Sequence, residues 1–220
     1  RRFIEELLRI THDRTTEIRS LVARLDRESV VGTRLATRGE AQRSATATEI
    51  LLGATEELHH PYTQAPIRRR LDVAEPTTMY EYGRFSASEE EMVPATYFVP
   101  ERLAPILELL AAHGVDGTVL ETDMTLAGER FAISRSTLAD RPTEGHRERT
   151  IEGSWGPAEF LIPAGTVAIP VAQPLGRLAF TLLEPRSDDG FVNWNLLDDE
   201  IRPGGSFPIV RVMSEPARRP

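Results

Sequence analysis

Two glutamates and two histidines within residues 56–60 have the side-chain types that bind metal ions. Glu56 and Glu57 each precede a histidine by three positions, His59 and His60 respectively. On a helix such pairs share a face, so each pair could ligate a metal. The segment is more typical of a strand, on which Glu57 and His59 share one face and Glu56 and His60 the other. A dinuclear site would also need carboxylates from other helices, so we expect a solvated edge strand here.

A single histidine stands among charged residues in the run Gly145-His146-Arg147-Glu148. Its imidazole could act as an acid or base, or could organise hydrogen bonds. We expect a structural role, with His146 donating to backbone at the start of a strand.

Oxygen ligands of the kind that calcium prefers cluster in the run Ser187-Asp188-Asp189-Gly190. The run is too short to form a full cage and lacks an alternating Asp pattern. We expect a turn, or a cap for a short helix over residues 191–197.

The strongest basic run is Arg68-Arg69-Arg70, and all 26 basic residues of the chain are arginines. The run predicts a solvated face, or pairing with an acidic run such as residues 89–91. The lack of lysine is more typical of a GC-rich codon bias than of a surface dedicated to carboxylate or phosphate recognition.

Composition excludes several classes of function. The 220 residues suit one domain, or one domain with an appendage. There are 34 acidic against 26 basic residues, and the net charge of −8 argues against nucleic acid as the main partner. Without cysteine there are no disulfides, thiolate metal sites or Cys nucleophiles. We expect no membrane-spanning segment, because no apolar run approaches the required length.

Residues 3–27 have the apolar spacing of one amphipathic helix, with a polar point over residues 11–16 where it should be weak or bent. The chain begins inside this pattern, so we expect a piece of a longer protein and a helix that packs on something. The apolar positions are Phe3, Ile4, Leu7, Leu8, Ile10, Ile18, Leu21, Val22 and Leu25.

The remaining chain predicts strands and two helices. One helix follows Pro100 and Pro105 and ends at His113-Gly114, and the other starts near Pro174 and ends at Pro185. Residues 86–92 should be an acidic link, and residues 214–220 a disordered tail. We expect strands at 30–36, 45–58, 67–73, 77–85, 95–99, 115–124, 130–136, 147–151, 158–162, 166–171 and 207–212.

These elements predict an α+β fold. A mixed, β-rich domain over residues 30–213 would contain a strand–helix–strand unit. A long N-terminal helix would precede it within residues 1–29, and the tail over 214–220 would follow.

A series of short motifs resembles a known family. In order along the chain, the motifs resemble the region downstream of the catalytic domain in large bacterial zinc carboxypeptidase A-like peptidases. The resemblance is good over residues 95–212 and loose over residues 1–94. The motifs are Val99-Pro100, Gly145-His146-Arg147, Pro163-Ala164-Gly165-Thr166, Gln173-Pro174-Leu175-Gly176-Arg177-Leu178-Ala179, Leu182-Leu183-Glu184-Pro185, Ser187-Asp188-Asp189-Gly190, Trp194-Asn195 and Phe207-Pro208-Ile209-Val210-Arg211-Val212.

The resemblance implies that the chemistry lies outside this chain. The family's catalytic domain binds zinc through a His-x-x-Glu pair and a distant His, with a Glu as general base. None of the five histidines here is followed by Glu at the third position; the residues there are Thr15, Tyr62, Thr63, Asp116 and Arg149. We therefore assign no catalytic, cofactor-binding or metal residue. The zinc ligands of the parent would lie before Arg1, and residues 1–29 would be a terminal helix of the catalytic domain or a connector to it.

The expected function is that of a non-catalytic C-terminal accessory domain, which packs on its own catalytic domain and shapes substrate access. The parent would hydrolyse C-terminal peptide bonds, and an extracytoplasmic location is suspected for it. One alternative is a β-rich module that binds carbohydrate or cell envelope through Trp155 and Trp194, although lone tryptophans are more often core anchors. An independent enzyme built on His59, His60 or His146 is the least favoured hypothesis.

Overall fold

A computed structural model describes residues 2–213 of the chain. The predicted tail over residues 214–220 lies outside the described residues. The described part is β-rich and compatible with the α+β class, with ten strands and four helices. In chain order the elements are α1 (Arg2–Asp13), α2 (Thr15–Leu25), β1 (Arg34–Gln42), β2 (Thr48–His59), β3 (Pro66–Met79), β4 (Arg84–Met92), β5 (Thr96–Val99), α3 (Ala104–Ala112), β6 (Thr118–Val119), β7 (Met124–Leu138), β8 (Arg149–Ile162), β9 (Val167–Pro170), α4 (Gly176–Leu183) and β10 (Val210–Val212).

The chain divides into two compact units. The larger unit comprises residues 2–38 and 89–213, and the smaller one comprises residues 39–88. The chain enters the smaller unit within β1 and leaves it within β4, and these two strands pair with each other.

A six-stranded sheet in the order β6-β9-β5-β10-β7-β8 forms the centre of the larger unit, and all its neighbouring strands are antiparallel. Side chains alternate between its faces, as the period of two in a strand requires. Tyr97 and Phe131 belong to the main core cluster together with Ile106 of α3 and Phe180 of α4. Phe98, next to Tyr97, belongs to a second cluster with Leu126 and Phe160.

Both predicted helices of this unit are confirmed. Pro105 lies in the first turn of α3, and Gly114 follows the helix with φ +82°. That left-handed conformation suits glycine, which has no Cβ to clash. The second helix, α4, ends at Leu183, before Glu184 and Pro185.

The N-terminal segment forms two helices where the sequence predicts one. Arg14 separates α1 from α2, with φ −105° and ψ 17°. The hydroxyls of Thr11 and Thr15 donate to backbone carbonyls three or four residues earlier, which is the kind of local bond that bends helices. None of the residues of α1 and α2 is buried.

Several predicted strand boundaries are wrong. The strands predicted at 67–73 and 77–85 are replaced by β3 and β4, and the acidic link predicted at 86–92 lies within β4. The strand predicted at 115–124 is only the two residues of β6. The strands predicted at 147–151 and 158–162 are one strand, β8, which contains Pro157. Because β8 is an edge strand, the missing N–H of a proline need not cost a ladder bond there.

The smaller unit is built on an antiparallel ribbon of β2 and β3. Its register runs from the pair Thr48 and Met79 to the pair His59 and Pro66, with an irregularity between Gly53 and Thr55. Each strand pairs only with the other among the described residues, so Pro76 within β3 also lies on an edge.

Candidate functional site

A buried carboxylate at the end of α4 is the centre of a polar network. Glu184 is 1% exposed. Its Oε1 accepts hydrogen bonds from the Tyr97 hydroxyl (2.6 Å) and from Nη1 of Arg211 (2.9 Å). Its Oε2 accepts from Nε1 of Trp155 (3.2 Å). Both carboxylate oxygens are therefore occupied by protein donors.

Arg211 carries the network along β10. Its Nε donates to Glu129 (2.9 Å), and its Nη2 lies 3.5 Å from Glu91. Its guanidinium also lies 4.0 Å from the centre of the Trp155 ring, in a cation–π arrangement. Arg211 is 3% exposed, so these contacts replace the hydration that a buried charge loses.

A second set of arginines joins the same acidic strand to the sheet. Arg186 contacts Glu91 (2.7 Å) and Glu89 (3.1 Å). Arg38 donates to Glu89 and Glu152, both at 2.9 Å. We call this connected set the Glu184 network. Its members are Tyr97, Trp155, Glu184, Arg211, Glu129, Glu91, Glu89, Arg186, Arg38 and Glu152. With the pair between Arg34 and Glu90, the network neutralises the acidic run at 89–91, which is consistent with that run forming part of β4.

The pKa shifts in this network have identifiable causes. Burial raises the pKa of Glu184, although Arg211 and Tyr97 oppose the shift. Burial, together with the neighbouring carboxylate of Glu184, raises the pKa of Tyr97 well above its usual range. Burial disfavours the charge on Arg211, but Glu184, Glu129 and Tyr97 together outweigh it and raise the pKa of Arg211. Tyr97 and Arg211 thus remain hydrogen-bond donors, and the network acts as a structural core of the larger unit.

The sequence analysis did not single out this network. Its available signals were charged residues inside apolar runs, namely Glu184 in Leu182-Leu183-Glu184-Pro185 and Arg211 between Val210 and Val212. A charge in an apolar run indicates a buried group that needs a partner, but it does not identify that partner.

His146 lies in a hydrogen-bonded stack. Its Nδ1 is 3.0 Å from Oδ1 of Asn195, and its ring stacks on Trp194 with 4.3 Å between the ring centres. The sequence analysis expected a backbone partner for this ring, and the structure places a side chain there. Asn195 itself has φ +63°, a conformation that asparagine tolerates better than most residues.

The run Ser187-Asp188-Asp189-Gly190 makes local contacts. The hydroxyl of Ser187 accepts from the backbone N–H of Asp189 (3.3 Å), and Oδ1 of Asp189 accepts from Nε1 of Trp194 (2.6 Å). Residues 191–197 form successive turns in place of the short helix. Over residues 2–213 no group of three His, Asp or Glu side chains is placed to hold a metal ion.

Glu56 and Glu57 lie on strand β2, as predicted. They stand opposite Arg69 and Arg68 of β3, and Arg69 forms an ion pair with Glu56. The ring Nδ1 of His60 accepts from two backbone N–H groups in the following turn. Arg69 therefore pairs across its own ribbon, and Arg68, Arg69 and Arg70 lie at exposed positions of β3, as expected for a solvated face.

The two tryptophans have separate surroundings. Trp155 packs edge-on against Phe131, donates to Glu184 and has the Arg211 guanidinium over its ring. Trp194 is 40% exposed and stacks on His146. Trp155 is thus a core anchor, and a ligand platform would depend on Trp194.

Comparison of the chain with family models, curated proteins and solved structures found no match. Within residues 2–213, no helix is long and apolar enough to cross a membrane. The family resemblance over residues 95–212 therefore stays a prediction.

Proposed function

We propose that this chain is a non-catalytic C-terminal accessory domain of a zinc metallocarboxypeptidase-like protein. It packs against the catalytic domain of that protein and shapes access to its cleft. The parent hydrolyses C-terminal peptide bonds with zinc, and this chain supplies no zinc ligand. Its direct partner is the catalytic domain, and peptide substrates are reached through the parent.

The observation that carries the proposal is the apolar stripe of α1 and α2. Nine large apolar side chains on these helices are 39–75% exposed. Exposed apolar side chains in such number mark a surface that binds another protein. The stripe consists of Phe3, Ile4, Leu7, Leu8 and Ile10 on α1 and Ile18, Leu21, Val22 and Leu25 on α2.

The motifs behind the family resemblance support a structural role, because their residues maintain the fold. A Cβ on Gly176 would lie 1.9 Å from the carbonyl oxygen of Val171, so only glycine fits there. The side chain of Gln173 accepts from the N–H of Asp116 and donates to its carbonyl oxygen, which ties two loops together. Glu184 is the centre of the buried network.

The first test compares this chain with the longer product of its reading frame. Zinc is measured by elemental analysis, and release of C-terminal residues is measured on a blocked dipeptide. We expect one zinc and peptidase activity in the long form, and neither in this chain. Stoichiometric zinc with hydrolysis by this chain alone would contradict the proposal, as would a long form that lacks both.

The docking role of the stripe is tested in the long form with two matched substitutions on α2. Leu21→Asp places a charge in the apolar stripe, whereas Ser20→Asp places the same charge on the opposite face. We expect L21D to expose α1 and α2 to proteolysis and faster amide exchange, and S20D to leave both unchanged. Equal behaviour of the two variants would show that the stripe does not pack on the catalytic domain.

The alternative, a module that binds carbohydrate or cell envelope, would depend on Trp194. Titration of the chain with glycans while Trp fluorescence is followed would test it, with W194L to assign the signal. A saturable change that W194L abolishes would favour the alternative.

A further inference from the structure

An apolar cavity of about 360 Å³ lies in the larger unit, between α3, α4 and the turns that follow α4. Its walls include Leu109 of α3, Leu178 and Leu182 of α4, and Phe191. Trp194 and Asp189 also line it. Its volume is at the lower end of the range for small-molecule sites, about 300–1,000 Å³.

The indole of Trp194 is held in place before any ligand arrives. Its Nε1 donates to Oδ1 of Asp189 at 2.6 Å, and one ring face stacks on His146 at 4.3 Å. His146 is in turn fixed by Asn195 at 3.0 Å. An exposed aromatic ring that is already ordered loses little side-chain entropy when a ligand binds.

The carboxylate of Asp189 in the cavity wall indicates the charge of a suitable ligand. Asp189 has no ion pair with an arginine among residues 2–213; its side chain contacts the neutral N–H of Trp194. Its neighbour Asp188, by contrast, lies 3.9 Å from Arg38. The lining includes one carboxylate, Asp189, and one histidine, His113, but no arginine. A carboxylate beside an indole ring, above apolar walls, is an environment that favours a cation.

We propose that this cavity binds a small organic cation, a primary ammonium group on an apolar body. The apolar body lies between α3 and α4, and the ammonium group lies at Asp189 and Trp194. The ammonium group gains a charge-assisted hydrogen bond and a cation–π contact. Free amines and the lysine side chain of a peptide share this chemistry. The site is independent of the proposed accessory role.

The proposal is tested by isothermal titration calorimetry at pH 8. Three probes of similar shape differ in charge: 2-phenylethylamine, 2-phenylethanol and 3-phenylpropanoate. We expect the amine to bind about tenfold more tightly than the alcohol, and the carboxylate not to bind. Equal binding of amine and alcohol would overturn the proposal, and so would no binding of the amine. This series uses the unaltered chain, so it does not depend on any variant folding.

Matched variants locate the binding site. Asp189→Asn keeps an oxygen that accepts from Trp194 but removes the charge, and should weaken amine binding about fivefold without affecting the alcohol. Trp194→Leu should weaken both ligands. Asp188→Asn removes a neighbouring charge that does not line the cavity, and should change neither. If D188N weakened the amine as much as D189N, the assignment to Asp189 would be wrong.

The two sources of the ligand are distinguished with the capped tripeptide acetyl-Ala-Lys-Ala-amide. Tighter binding of the peptide than of 2-phenylethylamine would assign the site to lysine side chains, and weaker binding would assign it to free amines. In the first case, D189N must also weaken peptide binding about fivefold.

Discussion

Glu184 illustrates how much of this fold depends on single buried charges. Its carboxylate accepts from a tyrosine, an arginine and a tryptophan that come from three different strands. Buried charges are costly unless they are paired and hydrogen-bonded. If the carboxylate were removed, Tyr97 and Trp155 would lose the acceptor of their hydrogen bonds. Arg211 would lose one of its three carboxylate partners.

We predict that Glu184→Ala destabilises the chain by about 3–5 kcal/mol, because it leaves the Tyr97 hydroxyl and the Trp155 N–H without their acceptor and removes the buried carboxylate partner of Arg211. Urea unfolding followed by Trp fluorescence measures the change. The control is Glu200→Gln, which breaks the surface pair with Arg102 and should cost less than about 1 kcal/mol. Similar losses in both variants would show that the Glu184 network does not stabilise the fold.

The raised pKa of Glu184 predicts a pH dependence of a definite sign. The folded state holds the proton to a higher pH than the unfolded state does, so the contribution of this group to stability is greatest at low pH. It declines as pH rises above the ordinary carboxyl pKa of about 4.3, and it levels off above the folded-state pKa. The carboxylate of Glu91 acts in the same direction as burial, and Arg211 acts against it.

The non-titrating variant Glu184→Gln isolates this contribution. The quantity measured is the free energy of unfolding of the unaltered chain minus that of E184Q. We expect this difference to become smaller as pH rises from 4 to 7. A difference that grows over the same range would mean that Arg211 and Tyr97 outweigh burial and lower the pKa of Glu184.

At the scale of elements, close approach between β7 and β8 fixes which residues the ladder accepts. A Cβ on Gly153 would lie 2.0 Å from the carbonyl oxygen of Ala132 and 2.6 Å from the Phe131 ring. On the same strand, a Cβ on Gly156 would meet no atom within 4 Å. Close packing therefore requires glycine at position 153 but not at position 156.

We predict that Gly153→Ala destabilises the chain by about 1–3 kcal/mol through overpacking, whereas Gly156→Ala changes stability by less than about 0.5 kcal/mol. Thermal unfolding of the two variants measures the difference. A neutral G153A would show that β7 and β8 can separate at this register without cost.

At the scale of the whole molecule, the larger unit has its own core and both tryptophans. Its chain is interrupted by residues 39–88, but the residues on either side of the interruption, Arg38 and Glu89, form an ion pair at 2.9 Å. A short connection can therefore span them.

We predict that replacing residues 39–88 with Gly-Ser-Gly-Ser leaves a folded larger unit. Its thermal midpoint should lie within about 5 °C of that of the whole chain, as expected when the removed part shares little of the core. Trp fluorescence and circular dichroism follow the transition. Loss of cooperative unfolding would show that residues 39–88 are required for the larger unit to fold.

The sequence alone determined the features that depend on local spacing. The β-rich α+β class, the two helices bounded by Pro105, Gly114 and Pro185, and the strand character of Glu56 and Glu57 all follow from periods of two or 3.6 and from turn residues. The apolar stripe of α1 and α2 was also visible in the sequence. Helical periodicity places its members on one face of the helix, regardless of what packs against that face.

Only the tertiary structure decided which charges are buried and what surrounds them. Arg211 meets Glu184 across 27 residues and Glu91 across 120, and no local pattern relates positions so far apart. Ion pairs with arginines also allow Glu89 and Glu91 of the predicted acidic link to lie in β4, since neutralised glutamates no longer repel one another. The cavity beside Trp194 likewise exists only where α3, α4 and the turns after α4 meet.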